Sequence, residues 1–135
     1  MCLDTARLGK QRVEGRQIIA ALQHENYGMG KRVPWENHPA TKMWEGCIPA
    51  LMLYTDCCIR EWVRRGYNNT MGLFLSNPVN ETPEYWRSIK MPSWMGDDEF
   101  HASHRSNLLR KNPEWYGQFG WTETPDLPYV WPKPH

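Results

Sequence analysis

Where proline is absent decides most of what this chain can fold into. Proline removes a backbone donor and clashes with the preceding turn, so helix interiors exclude it. Eleven prolines are spread over 135 residues, yet none falls within 3–23, LDTARLGKQRVEGRQIIAALQ, and only Pro49 interrupts 40–67. The first stretch ends in an Ile/Ala/Leu run and reads as a helix with Asp4 or Thr5 near its start. In the second, Trp44, Ile48, Leu51, Cys58 and Trp62 recur at spacings of three, four or seven, which puts them on one helical face. Pro39 suits its first position, Pro49 should kink or split it, and Gly66, behind Arg64 and Arg65, should stop it. A third, shorter helix is expected in HASHRSNLLRK, residues 101–111, capped by Ser103 and ended by Pro113.

The remaining segments carry turn chemistry. Residues 24–39 read as a loop that exposes Lys31 and Arg32. Residues 68–99 are rich in Pro, Gly, Asn and Asp, and TPEYWRSIK within them should give a turn of helix at most. Beyond Pro113 the prolines and glycines recur too often for regular structure, so the tail should wrap over the helices through its aromatics. The expected architecture is all-α: one domain over 1–135 of about three helices, with long irregular loops and an aromatic-rich C-terminal tail. Apolar residues at 40%, with eight Trp, supply the surface such a core needs.

Composition excludes several classes of function. The net charge of +1 creates no general positive field, so any affinity for nucleic acid has to come from local clusters of cations. Cys2, Cys47, Cys57 and Cys58 form no C-x-x-C pair, and reduced structural thiols are expected. His101 and His104 alone supply two ligands where zinc needs three or four, so no metal and no cofactor are expected. The charged N-terminus carries no secretory signal, and no segment is apolar enough to span a membrane, which points to the cytoplasm.

Two groups of residues could carry chemistry. On the first helix Arg7, Gln11 and Glu14 share a face, with Lys10 beside them. A carboxylate among cations and an amide could act as a general base or stabilise a developing cation, although such a face is more often only solvated. The second group, His101, His104, Arg105, Arg110 and Lys111, runs into Trp115 and Tyr116. Cations displace counterions from a phosphate backbone and flat rings replace lost stacking, as a distorted nucleic acid requires. The alternative is that both aromatics are core and both histidines structural. Lys42, Arg60, Arg64 and Arg65 read as solvated helix ends, with Arg64 and Arg65 worth testing for DNA contact, and Trp44 and Trp62 as core.

In order and spacing, LDTARLGKQRVE, REWVRRGYN and SHRSNLLRKNPEWYGQFG resemble the pyrimidine-dimer DNA glycosylases of the phage-type endonuclease V family. The resemblance covers most of the chain. It implies a helical domain whose first helix carries a catalytic glutamate six residues after a leucine, a spacing that Leu8 and Glu14 fit. It also implies a C-terminal Pro-x-Trp-Tyr segment near the DNA, matched by Pro113, Glu114, Trp115 and Tyr116. The DNA contacts that follow are Arg7, Gln11, Arg12 and Arg16 on the first helix, and His104, Arg105, Arg110, Lys111, Trp115 and Tyr116 further on. The implied activity is excision of a damaged pyrimidine from double-stranded DNA by a monomer, through a Schiff base, followed by strand cleavage at the abasic site.

In the family the nucleophile is the α-amine of the processed first residue, and an extended segment separates it from the first helix, whereas this sequence starts at the helix. Four explanations stay open: a start upstream of Met1, which is the preferred one; the amine of Cys2 after loss of Met1; Lys10 as the Schiff-base residue; or an inactive DNA-binding module of the same fold. Cys2 would stand about 18 Å from Glu14 if the helix ran through it, at about 1.5 Å per residue. A protein-interaction domain with solvated charges is the remaining alternative.

Overall fold

Among the residues described by the computed structural model, 2–27, 38–75 and 83–131, every regular element is helical. The elements are α1 (Thr5–Tyr27), α2 (Pro39–Lys42), α3 (Ile48–Arg64), α4 (Pro83–Ser88), α5 (Asp98–Lys111) and α6 (Pro113–Tyr116), followed by a 3-10 turn at Gly117–Phe119. The all-α expectation holds, and no described helix is long and apolar enough to cross a membrane.

The pairing of α1 with α3 organises the molecule, and two glycines permit it. A Cβ placed on Gly15 would come within 2.3 Å of Thr55 Oγ1, and one on Gly9 within 2.9 Å of the Trp62 ring. Residue 15 meets 55 while residue 9 meets 62, so the two helices run antiparallel. Glycine within a helix costs about 1 kcal/mol relative to alanine, which the close approach of the backbones offsets. Beyond Gly15, the buried Ile18, Ile19 and Leu22 join Leu51 and Ala50 of α3 with Trp44, Cys47, Ile89, Trp94 and Phe100 in one apolar cluster. Trp94 sits edge-on to Trp44 at 5.0 Å and donates its indole N–H to the carbonyl of Met43 at 2.8 Å.

Several boundaries differ from those the sequence suggested. The helix expected over 40–67 is two elements, because the chain turns between Lys42 and Ile48 with Gly46 at φ +74°. Pro49 lies in the first turn of α3, where its missing N–H costs nothing, so it opens that helix rather than bending one. Pro39 takes the same place in α2, and Gly66 follows α3 at φ +89°. The α1 helix continues to Tyr27 into the expected loop, while Lys31 and Arg32 lie outside the described residues. TPEYWRSIK yields a six-residue helix, α4, rather than a single turn. Both carboxylate oxygens of buried Asp56 accept backbone N–H groups, from Phe74 and Leu75 at 2.8 Å each, which ties the segment after α3 back onto it.

The start of α5 is a correction. Asp97, not Ser103, caps it, accepting the N–H groups of Glu99 and Phe100 at 3.0 and 3.2 Å, and the helix begins at Asp98. Ser103 is buried inside the helix, where its hydroxyl donates to the Phe100 carbonyl at 2.8 Å and accepts the N–H of Val130 at 3.1 Å. Ser106 accepts the N–H of Leu127 at 3.0 Å, and Asn107 donates to the Leu127 carbonyl at 3.2 Å. Small polar side chains of α5 thus strap the tail along the helix, and the expectation that no regular structure follows Pro113 is corrected by α6 and the 3-10 turn at Gly117–Phe119.

Candidate active site at the start of the α1–α3 pair

Glu14 is half-buried on α1, neither in the core nor free of partners. The side-chain amide of Gln11, one turn earlier, donates to Glu14 Oε2 at 3.2 Å. The other end of that amide, Oε1, accepts the hydroxyl of Tyr54 from α3 at 2.9 Å. Gln11 falls on the same stripe as Leu8, Gly15 and Ile18, which is why an amide of α1 meets a phenol of α3. Burial raises the Tyr54 hydroxyl well above its ordinary pKa, and Cys58, Cys2 and Glu14 push it further the same way. Cys58, one turn along α3, hydrogen-bonds to that hydroxyl; burial lifts its thiol to about 11 although the bond to Tyr54 pulls downward.

Cys2 and Glu14 therefore act on one hydroxyl. Residues 2–4 are not helical, and the chain there is held by Trp115, whose indole N–H donates to the Cys2 carbonyl at 2.7 Å. The Arg65 guanidinium lies 5.7 Å over the ring of Trp115 and reaches Glu61 through Nε at 3.2 Å. Arg64, one residue earlier, also binds Glu61, and that hydrogen bond, ahead of the one from Arg65, holds the Glu61 carboxyl down at about 2. One line of contacts thus runs from the end of α3 through Trp115 to the N-terminal segment, and a second runs from Tyr54 through Gln11 to Glu14.

The other residues that the sequence singled out divide into surface and scaffold. Lys10 and Arg16 are exposed. Arg7 faces Asp4 at 3.3 Å. Arg12 lies 4.5 Å over the Trp62 ring and donates to Asn69 Oδ1 at 3.0 Å, which places it on the opposite flank of α1 from Glu14. Trp62 is only half-buried, in contact with Tyr67 at 4.7 Å, while Trp44 is core. Arg105 pairs with Glu123 at 2.6 Å, Arg110 with Asn107, and Lys111 donates to the Tyr129 hydroxyl at 2.9 Å. His104 sits among the rings of Phe100, Tyr129 and Trp131 at 4.4, 5.2 and 6.0 Å. Burial, then His101 and Lys111, lowers its pKa.

Tyr116 offers no surface to a ligand. It is 0% exposed, its hydroxyl accepts the Asp4 N–H at 3.0 Å and donates to the Asp4 carboxylate, and burial raises it to about 12. Of the basic and aromatic residues around α5 and α6, then, many are occupied in holding the tail and the N-terminus. The sequence reading passed over Tyr54 and Asn69, and took Asp4 only as a helix start and Cys58 only as a structural thiol on an apolar face. Tyr54 could have been found, because it falls on the buried stripe of α3 between Leu51 and Cys58 and a phenol there needs a polar partner from α1.

All four thiols are free, and among the described residues no three His, Cys, Asp or Glu side chains gather as a metal site. The arrangement is thus a helical scaffold that presents one carboxylate, held by an amide that a phenol of the facing helix engages in turn. Residues 1–75 match the pyrimidine dimer DNA glycosylase family, and that span holds Cys2, Lys10, Gln11, Glu14, Tyr54 and Arg65. It is more than half of the 135 residues, and the chain belongs to the pyrimidine dimer DNA glycosylase family. Helices α5 and α6 and the tail lie beyond the matched residues. No curated protein and no solved structure matches the chain.

Proposed function

We propose that this protein excises a damaged or modified pyrimidine from double-stranded DNA and then cuts the strand at the resulting abasic site. An unprotonated amine attacks C1′ of the deoxyribose; the N–C1′ bond forms as the glycosidic bond breaks, and the base leaves with the bonding electrons. The sugar opens to a Schiff base. Glu14 stabilises the iminium cation and takes the 2′ proton, after which the C3′–O bond breaks by β-elimination and the phosphate departs. No step needs a metal.

The observation that carries this reading is the place of Glu14: half-exposed and engaged by Gln11, whose other end accepts the Tyr54 hydroxyl, in a member of this family. We assign the amine to the N-terminal side of α1. An α-amine has an ordinary pKa of about 7.7 to 8.0, so a useful fraction is unprotonated at neutral pH, whereas a lysine near 10.4 needs desolvation and Lys10 is exposed. Exposed cations on α1, Lys10 and Arg16 among them, hold the phosphate backbone, and an extruded nucleotide brings C1′ within reach.

Borohydride reduction in the presence of abasic-site duplex tests the proposal. A covalent protein–DNA adduct is expected, and mass analysis of the adducted peptide should place the linkage at an N-terminal amine. Linkage at Lys10 would move the nucleophile onto α1. Salt-dependent DNA binding without any adduct would leave a DNA-binding module in place of the enzyme.

A further inference from the structure

The two ends of the Gln11 side chain do different things, and together they fix its orientation. A carboxylate only accepts hydrogen bonds, so the group of Gln11 facing Glu14 has to be the NH2, as its 3.2 Å contact has it. The amide oxygen then faces Tyr54, whose hydroxyl has to donate, at 2.9 Å. The donors of both bonds, Tyr54 and then Gln11, point toward Glu14. Burial keeps the phenol protonated, so the direction does not reverse at physiological pH.

We propose that Tyr54 and Gln11 are positioning residues that aim the Glu14 carboxylate through this one-way hydrogen-bond relay. The inference rests on the role given to Glu14 above. Gln11 alone could rotate its amide to solvent, and Glu14 would then lose its donor and take up other rotamers. The Tyr54 hydroxyl, fixed in the α1–α3 interface, removes that freedom. Neither residue touches the sugar, and neither exchanges a proton with it. Their effect is to keep one carboxylate oxygen occupied and the other in place for the 2′ proton. Gln11, expected from the sequence to contact DNA, thus has both polar ends engaged within the protein.

The test compares the wild-type chain with Tyr54→Phe, Gln11→Met and the double variant, measuring single-turnover cleavage of abasic-site duplex alongside DNA affinity. Each single change should slow cleavage about tenfold, with affinity held within about twofold. Because both act through one path, the double variant should be no slower than either single one. Losses that multiply to about a hundredfold, or a fall in affinity equal to the fall in rate, would overturn the relay. A second readout is independent of activity. In the nuclear magnetic resonance spectrum of the wild-type protein, the two Gln11 Nε2 protons should be displaced from their free-glutamine positions and protected from exchange, and Tyr54→Phe should return them toward free glutamine. An unchanged Gln11 signal in that variant would sink the proposal. A wild-type chain that cleaves nothing contradicts the function assigned above, and the amide spectrum still decides the relay.

Discussion

The hydroxyl of Tyr116 engages both the backbone N–H and the carboxylate of Asp4, 112 residues away in sequence, and so fastens the start of α1 to α6. Burial alone would raise the Asp4 carboxyl, but the bond from Tyr116 and the charge of Arg7 outweigh it and hold the group below its ordinary value. A carboxyl depressed in the folded state contributes stability above its unfolded pKa, about 3.9, and loses that contribution as pH falls through the folded value. Urea midpoints measured against pH should therefore drop below about pH 4, and Asp4→Asn should flatten that drop. Tyr116→Phe should cost about 1 to 3 kcal/mol at neutral pH, because it leaves a buried carboxylate oxygen and N–H short of a partner. A cost near zero in urea unfolding would mean that water takes over the hydroxyl's place.

The close approach of α1 to α3 predicts a second outcome. Gly15→Ala would put a methyl within 2.3 Å of Thr55 Oγ1, on a helix with no room to yield. Overpacking of this kind costs about 1 to 3 kcal/mol, against the few tenths to about 1 kcal/mol that Gly→Ala returns within a helix. The net effect should be a loss of thermal stability. Thr55→Ala removes the obstructing hydroxyl and methyl, so the double variant should be more stable than Gly15→Ala alone. Equal melting temperatures for the two would show that the helices separate instead.

Proline placement and apolar spacing made the three long helices legible, because both act within a few residues. The boundaries were harder. Pro49 reads as a break or a start depending on where the preceding turn closes, and Gly46 at φ +74° decided it. Ser103 looked like a cap because Ser favours helix starts, but its partner is Val130, a contact that no local pattern announces. At the site, the pairing of Gln11 with Glu14 follows from their spacing on one helix, whereas Tyr54 depends on the register of α1 against α3. The partners of the basic residues around α5 are hidden for the same reason: Arg105 and Lys111 look free in sequence and meet Glu123 and Tyr129 in space.

Glu14→Gln separates chemistry from binding. The amide keeps the size of the side chain and loses the capacity to take a proton or offset an iminium charge. Strand cleavage should fall by about 10²- to 10⁴-fold, the usual share of a general base, while duplex affinity stays within about twofold. Single-turnover cleavage and a binding titration on the same substrate check both numbers. Matching losses in the two would make Glu14 a structural residue.

Cations facing solvent and cations already paired should answer differently to salt. A side chain that neutralises one phosphate adds about one to the slope of log affinity against log salt, and its removal takes that share away. Arg16 is exposed on α1, so Arg16→Ala should weaken DNA binding and reduce the slope by about one. Arg105 is held by Glu123, which the hydrogen bond from Arg105 in turn keeps ionised, so its guanidinium is spent on fastening the tail. Arg105→Ala should leave the slope unchanged and instead speed protease cleavage within 121–131, where the extended chain leans on α5. A slope reduced by Arg105→Ala and untouched by Arg16→Ala would place the DNA on the α5 side of the molecule, away from Glu14, and would remove the phosphate-binding role given to α1.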